Sequence, residues 1–368
     1  MNRNIAIIGA GNGGVSMGAF LSLKGCNVNI YDKDPHALED IRNAGGVELK
    51  GVSLTGFAGF SRITDNLAEA IEDCRIIMVV TPAFAHRELA EKSAPYLTSG
   101  QHIILNPGRT AGAIEFFRTI KDRNPRADFI VAEAQTLIYA CRRTGPAEAT
   151  IYKVKKEVLL SALPAIKTDE VLADLKEFYP EFRKAENVLE TSLLNIGSIF
   201  HPAPAILNIA RIESREDFEY YMGGISPCVS HVLEKIDSER VEIARALGVK
   251  TLTVKEWLED AYEVQFLESD SIYDAVQKQS GYKGIAAPKN PYTRYITEDV
   301  PMSLVPLSEL GRFLGISTPT MDTMIELANL LHQTDYRTNG RNLRALGIEG
   351  VTLEALKRFV NLGQDLSI

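Results

Sequence analysis

Residues Asn4 to Asp34 read NIAIIGAGNGGVSMGAFLSLKGCNVNIYDKD. Ile5 to Ile8 are apolar at every position, the pattern of a strand buried on both faces of a parallel sheet. Gly9, Gly11 and Gly14 follow as G-x-G-x-x-G, then a helix from about Gly13 to Lys24 with Gly25 as its stop. A second strand, Val28 to Tyr31, ends in Asp32. Each part has a task in holding a dinucleotide. Gly9 permits the tight turn, Gly11 lets the backbone approach a pyrophosphate, and Gly14 lets helix and strand pack closely. The helix N-terminus supplies N–H groups and partial positive charge, with the N–H groups of Asn12 and Gly13 facing the phosphates. Asp32, roughly 20 residues beyond the glycines, is placed to accept from a ribose 2′-hydroxyl and to repel a 2′-phosphate, which favours NAD over NADP. Lys33 beside it pulls the other way. A lone glycine motif is weak evidence. Flanked by the strand, the helix and the acid, it reads as a dinucleotide site rather than a structural turn.

The alternation continues. CRIIMVVTPAFAH is a strand ending at Thr81-Pro82, HIILNPGRTAG one ending at Asn106-Pro107-Gly108, and DFIVAEAQT a third. HRELAEKSAPYL and GAIEFFRTIKDR are helical between them. This order implies an α/β fold, a Rossmann-type doubly wound parallel sheet, whose ligands bind beyond the carboxyl ends of the strands. Thr81, Pro82, Asn106 and Gly108 sit at those ends and either line the nicotinamide half of the cofactor or merely end strands. AEATIYKVKKEVLLSALPA reads as an edge hairpin closing this domain, and TDEVLADLKEFYPEF as an amphipathic helix. The boundary is set at Lys184, giving a nucleotide domain over 1–184 and an all-helical C-terminal substrate domain over 185–368. Helical patterns dominate the second part, with Ser308 as a start and Gly248 as a stop. The site is expected in the cleft between the two domains.

SIFHPAPAILN, Ser198 to Asn208, sets one histidine in an apolar run. Leu193, Ile196, Phe200 and Leu207 form a helical stripe, and His201 lies one position off it. Pro202 disfavours α geometry at His201, so a broken helix is expected there. The stretch alone leaves a core histidine and a proton donor both open. NPYTRYITEDVPMSLVPLSELG, Asn290 to Gly311, reads as a proline-broken loop carrying Arg294, Glu298 and Asp299. It is either a solvated charged loop, or an arginine fork for a carboxylate beside an acid that orients an imidazole.

The motifs GAGNGG, IILNPG, HPAPAILN, EKIDSERVEIA, TRYITEDV and LVPLSELGR make nearly the whole chain resemble the opine dehydrogenases, the octopine/nopaline dehydrogenase family. The resemblance implies reductive condensation of an α-keto acid, usually pyruvate, with the amino group of an L-amino acid, using NAD(P)H. It places the family's catalytic histidine on His201, the partnering aspartate on Asp299 and the substrate-carboxylate arginine on Arg294. Glu298 is the alternative partner for the histidine. Cys141, in YACRRTG, either lines the pocket or is a packed thiol. Two other readings compete: a 2- or 3-hydroxyacid dehydrogenase or ketopantoate reductase-like enzyme, and an NAD-binding sensor without turnover. Many 3-hydroxyacid relatives use lysine where this chain has His201, and a sensor needs no set of His201, Arg294 and Asp299.

The totals narrow the setting. At 368 residues the chain is too long for one ordinary core. It is 45% hydrophobic and 24% charged, with net charge −8 and a pI near 5.5. Isolated basic stretches such as KVKK do not make a nucleic-acid groove. No apolar run approaches the roughly 20 residues of a membrane span, and the start of the chain reads as a strand rather than a cleavable leader. Four cysteines without a CxxC pair and six scattered histidines point to no metal and to a reducing cytoplasm. The expected partners are small-molecule substrates, and the apolar helices offer a face for a homodimer.

Overall fold

The structure is a computed structural model describing residues 3–262, 265–267 and 270–366. It forms two compact units, Met1–Ser192 together with Glu354–Ile368, and Leu193–Leu353.

Among the described residues twelve strands build the first unit: β1 (Asn4–Ile8), β2 (Asn27–Tyr31), β3 (Gly46–Gly51), β4 (Gly56–Gly59), β5 (Arg62–Thr64), β6 (Ile76–Val79), β7 (Gln101–Leu105), β8 (Phe129–Ala134), β9 (Tyr139–Gly145), β10 (Glu148–Val154), β11 (Val158–Leu163) and β12 (Phe182–Lys184). Eight form a sheet in the order β12-β11-β8-β7-β6-β1-β2-β5. From β8 to β5 all neighbours are parallel, whereas β11 runs antiparallel to β8. The strand order reverses between β1 and β6, which opens the crevice where such sheets bind ligands.

The expected hairpin is corrected. β10 belongs to a second sheet, β4-β3-β10-β9, while β11 joins the main sheet. Alternation specifies a strand but not its partner. The second sheet packs on the helix Asn12–Leu23 opposite the main sheet. This explains why that helix is apolar nearly all round, with Val15, Met17, Ala19 and Leu21 fully buried. Gly25 takes a left-handed φ of 83° just past its end, as expected.

The division of the chain differs from the expected one in two places. The first unit runs eight residues past Lys184, to Ser192, and the C-terminal segment from Glu354 returns to it. Glu133 accounts for the first difference: its buried carboxylate accepts from Thr191 Oγ1 at 2.6 Å and Ser192 Oγ at 2.9 Å. The helix Leu353–Leu362 accounts for the second, burying Leu356, Phe359 and Val360 and setting Phe359 edge-on to Phe117.

The second unit is helical among its described residues, apart from an isolated bridge between Glu219 and Ala286. Its longest helix is Pro227–Leu247, stopped by Gly248 in the left-handed region as expected. Fully buried Arg240 on this helix donates to Asp237 Oδ1 and to the Leu193 carbonyl. Glu239 accepts from the N–H groups of Thr320 and Met321, capping the next long helix, Pro319–His332. Ser308 starts no helix. It lies inside Val305–Leu314, fully buried, donating to Asp322.

A β-carbon on Gly14 would stand 1.8 Å from the Gly9 carbonyl oxygen, whereas one on Gly11 would meet nothing within 4 Å. Gly14→Ala is therefore expected to destabilise the ligand-free protein by about 3 kcal/mol, since backbone cannot turn aside, and Gly11→Ala by under about 1 kcal/mol. Thermal melting without cofactor compares the two, and equal losses would contradict the contact.

Candidate active site

The glycine loop sorts into glycines that the protein's own packing requires and one that it does not. Gly9 has φ 111°, and a β-carbon there would lie 2.6 Å from the Val80 carbonyl oxygen. At Gly13 it would meet Val80 Cγ1 at 2.9 Å and Leu137 Cδ2 at 3.0 Å. Gly11 is exposed, with open space before it. It is the N-cap of the helix Asn12–Leu23, where no side chain caps the N–H groups and no acid stands in the first turn. No protein contact explains a glycine at that position. An uncapped, exposed helix N-terminus of this kind can receive a pyrophosphate.

Asp32 is held at the end of β2, accepting from Ala10 N at 2.8 Å through Oδ2 and from Asp34 N at 3.0 Å through Oδ1. It stays partly exposed, with lone pairs left for ribose hydroxyls. Lys33 pairs instead with Glu88 at 3.3 Å. The Asn12 side chain accepts from Arg143 N at 2.9 Å and ties the helix to β9. Cys141 is packed beneath this loop, and burial pushes its thiol above the ordinary value, so it stays protonated. Thr81 and Pro82 follow β6, with Thr81 Cγ2 2.9 Å from where a Gly9 β-carbon would lie. Thr81 Oγ1 is buried and without a hydrogen-bond partner. Asn106 directly follows β7, but its amide turns inward, donating to the Ile104 carbonyl at 2.9 Å. Gly108 is required by Glu133, whose Oε2 would lie 2.3 Å from a β-carbon there.

In the helical unit His201 separates two short helices, Gly197–Phe200 and Pro202–Leu207. The break is as expected, but His201 itself keeps α-region angles, φ −97° and ψ −60°, its N–H still bonded to the Gly197 carbonyl. Leu193, Ile196 and Phe200 are buried, whereas Leu207 is exposed and leaves the expected stripe. Asn290 to Gly311 is not simply a loop. It contains the helix Arg294–Thr297, a π-helical turn Val300–Leu304 and the helix Val305–Leu314. The wider turn accommodates Pro301 where an ordinary helix would lack a donor.

This segment separates its two acids. Asp299 Oδ2 lies 2.9 Å from His201 Nδ1, and Glu298 Oε2 accepts from Arg294 Nε at 2.7 Å and Nη2 at 2.5 Å. An ionised carboxylate only accepts, so Nδ1 carries the hydrogen and Nε2 is left for proton exchange. Two tyrosines unremarked in the sequence complete the setting. Tyr295 stacks on the imidazole, with centroids 4.7 Å apart, and Tyr220 donates to the His201 carbonyl at 2.5 Å. Burial raises the Tyr220 phenol well above its ordinary value, so it remains a donor. Tyr295 adjoins Arg294 in the TRY stretch and was within reach of sequence reasoning, whereas Tyr220 had no periodic signal.

The domain family described as NAD/NADP octopine/nopaline dehydrogenase, alpha-helical domain, matches residues 184–332, and the NAD-dependent glycerol-3-phosphate dehydrogenase N-terminus matches residues 4–115. The opine dehydrogenase of Arthrobacter sp. (strain 1C) is 38% identical over 359 residues, 98% of this chain and 99% of that one. The chain belongs to the opine dehydrogenase family. Opine dehydrogenases join an α-keto acid reductively to the amino group of an amino acid, and this one is an NAD-dependent dehydrogenase acting on a CH–NH bond. Octopine dehydrogenase solved with NADH and L-arginine superposes with a TM-score of 0.80 at 20% identity, covering 98% of both chains. Octopine dehydrogenase solved with NADH and pyruvate gives 0.78, again covering 98% of both. At such identity the likeness speaks for the fold.

For this opine dehydrogenase, Gly11→Ala is expected to weaken NADH binding at least about tenfold through lost backbone approach. Asp32→Ser is expected to narrow the NADH-over-NADPH preference by about tenfold or more, the worth of a charge-assisted hydrogen bond. Fluorescence titration with both nucleotides measures each effect, and an unchanged ratio in Asp32→Ser would remove Asp32 as the discriminator.

Proposed function

We propose that the keto acid is pyruvate, that the amine is an L-amino acid, and that His201, Asp299 and Arg294 carry the chemistry. The observation that supports this most directly is the 2.9 Å contact between His201 Nδ1 and Asp299 Oδ2. In this reading Asp299 holds the ring and stabilises its positive form. Protonated His201 then donates from Nε2 to the oxygen of the keto acid, first polarising the carbonyl for attack by the amine and then helping the hydroxyl leave as water. NADH supplies the hydride that reduces the imine to a secondary amine. Arg294, partly exposed and steadied by Glu298, grips a substrate carboxylate and fixes the reacting carbon. The glycines Gly9, Gly11, Gly13 and Gly14, with Asn12, Asp32, Thr81, Pro82 and Asn106, form or support the NAD site.

Four free cysteines support a cytoplasmic home. The exposed Leu330 and Leu331 support a homodimer, which size-exclusion chromatography with light scattering checks.

The deciding experiment follows NADH oxidation with pyruvate, with and without a mixture of L-amino acids. Oxidation should require both substrates. His201→Ala should lose about 10²–10⁴-fold in kcat, the usual worth of a positioned acid, while still binding NADH. Equal rates with pyruvate alone would make the protein a hydroxyacid dehydrogenase.

A further inference from the structure

Lys155 lies between β10 and β11, on the first unit, and the mechanism above does not use it. Its ammonium donates to Thr136 Oγ1 at 2.7 Å, and among the described residues no carboxylate pairs with it. Its electrostatic neighbours are two more cations, Lys153 and Arg109. Thr136 comes just after the carboxyl end of β8, and Arg109 just after that of β7. Leu137, next in the chain, reaches the glycine loop, its Cδ2 lying 3.0 Å from where a Gly13 β-carbon would stand. The cluster therefore occupies the carboxyl-end rim of the parallel sheet, the side on which such sheets bind their ligands.

Burial and the like charges of Lys153 and Arg109 push the Lys155 ammonium down to about 8. A desolvated cation among cations is costly unless an anion completes it. Lys155, Thr136 and Arg109 are each only partly buried, at the rim rather than in the core. The positive surroundings would repel an incoming ammonium and attract a carboxylate. An opine carries two carboxylates, one from each substrate.

We propose that Lys155, anchored by Thr136, binds a carboxylate of the substrate on the nucleotide-binding unit. The proposal rests on the opine dehydrogenase chemistry above. The carboxylate comes from the keto acid or from the amino acid, and the test separates them. Lys155→Met keeps the apolar stem and removes the charge. It should raise KM for pyruvate or for the amino acid at least tenfold while leaving NADH affinity unchanged, and the substrate whose KM moves is the one bound. Lys155→Arg should recover most of the loss. In the wild type the same KM should rise above about pH 8, because the group binds only while protonated and loses its proton through that range. Lys155→Arg should abolish that rise. Should Lys155→Met fail to fold, Thr136→Val, which removes the anchor, should raise the same KM. Unchanged KM values for both substrates overturn the proposal. An equal loss in NADH affinity also overturns it and assigns Lys155 to the cofactor phosphates. Binding of oxamate, a non-reacting keto acid mimic, to the enzyme–NADH complex reads carboxylate recognition without turnover. Oxamate binding that weakens in Lys155→Met would thus support the proposal even if the amine requirement fails.

Discussion

The nucleotide-binding unit depends on one missing methyl group, for a β-carbon on Gly14 would overlap the Gly9 carbonyl. That approach brings the first helix hard against the strand it follows and fixes where the helix begins. The uncapped helix N-terminus, the proposed pyrophosphate site, is thus a by-product of strand–helix packing. Once the helix is this close, two sheets can enclose it, and its apolar circumference becomes necessary rather than wasteful. The bond from Arg143 N to the Asn12 side chain then holds the helix N-terminus against the second sheet. Gly11 remains the one glycine of the loop that the packing of the fold does not require.

The helical unit depends on a different constraint. Two adjacent acids must serve two different bases. On a helix neighbouring side chains diverge by about 100°, so Glu298 can reach back one turn to Arg294 while Asp299 faces His201. The π-turn that follows lets the chain accept Pro301 without displacing Asp299. Tyr295, between Arg294 and the two acids in sequence, covers one face of the imidazole. The ring is therefore fixed in plane by a carboxylate and out of plane by an aromatic, which leaves Nε2 as the vertex that the proposed proton transfer would use.

Local structure that runs through contiguous residues was legible in the sequence, because period and glycine chemistry are local. β1, the first helix, Asp32 and the break at His201 fall into this class. Pairing between distant strands was not legible. The alternation at β10 and β11 is correct for each, yet it cannot show that they belong to different sheets. Nor could prolines alone separate a loop from helices joined by a π-turn, since both tolerate a missing N–H. The return of the C-terminal helix was hidden for the same reason. An amphipathic face states that it is buried, not against what. The choice between Glu298 and Asp299 rested on resemblance, and only the geometry showed each acid to have its own base.

Electrostatics sets a demand that each unit answers by itself. The chain carries a net charge of −8, whereas NADH, a keto acid and a dicarboxylate product are all anions. The long-range field opposes their approach, so attraction must be local. The first helix meets this with bare N–H groups and no acid in its first turn. In the proposed function Arg294 would meet it differently: its guanidinium is mostly exposed, while Glu298 beneath it is buried. Buried Glu298 fixes the guanidinium through Nε and Nη2, which leaves Nη1 and the outer edge for a second carboxylate. Glu298 engages only Nε and Nη2 of a group with five N–H donors, so it orients Arg294 without saturating it. A lysine in that position would have a single ammonium to share between Glu298 and the substrate. The planar fork is what allows one side chain to be held and to hold at once.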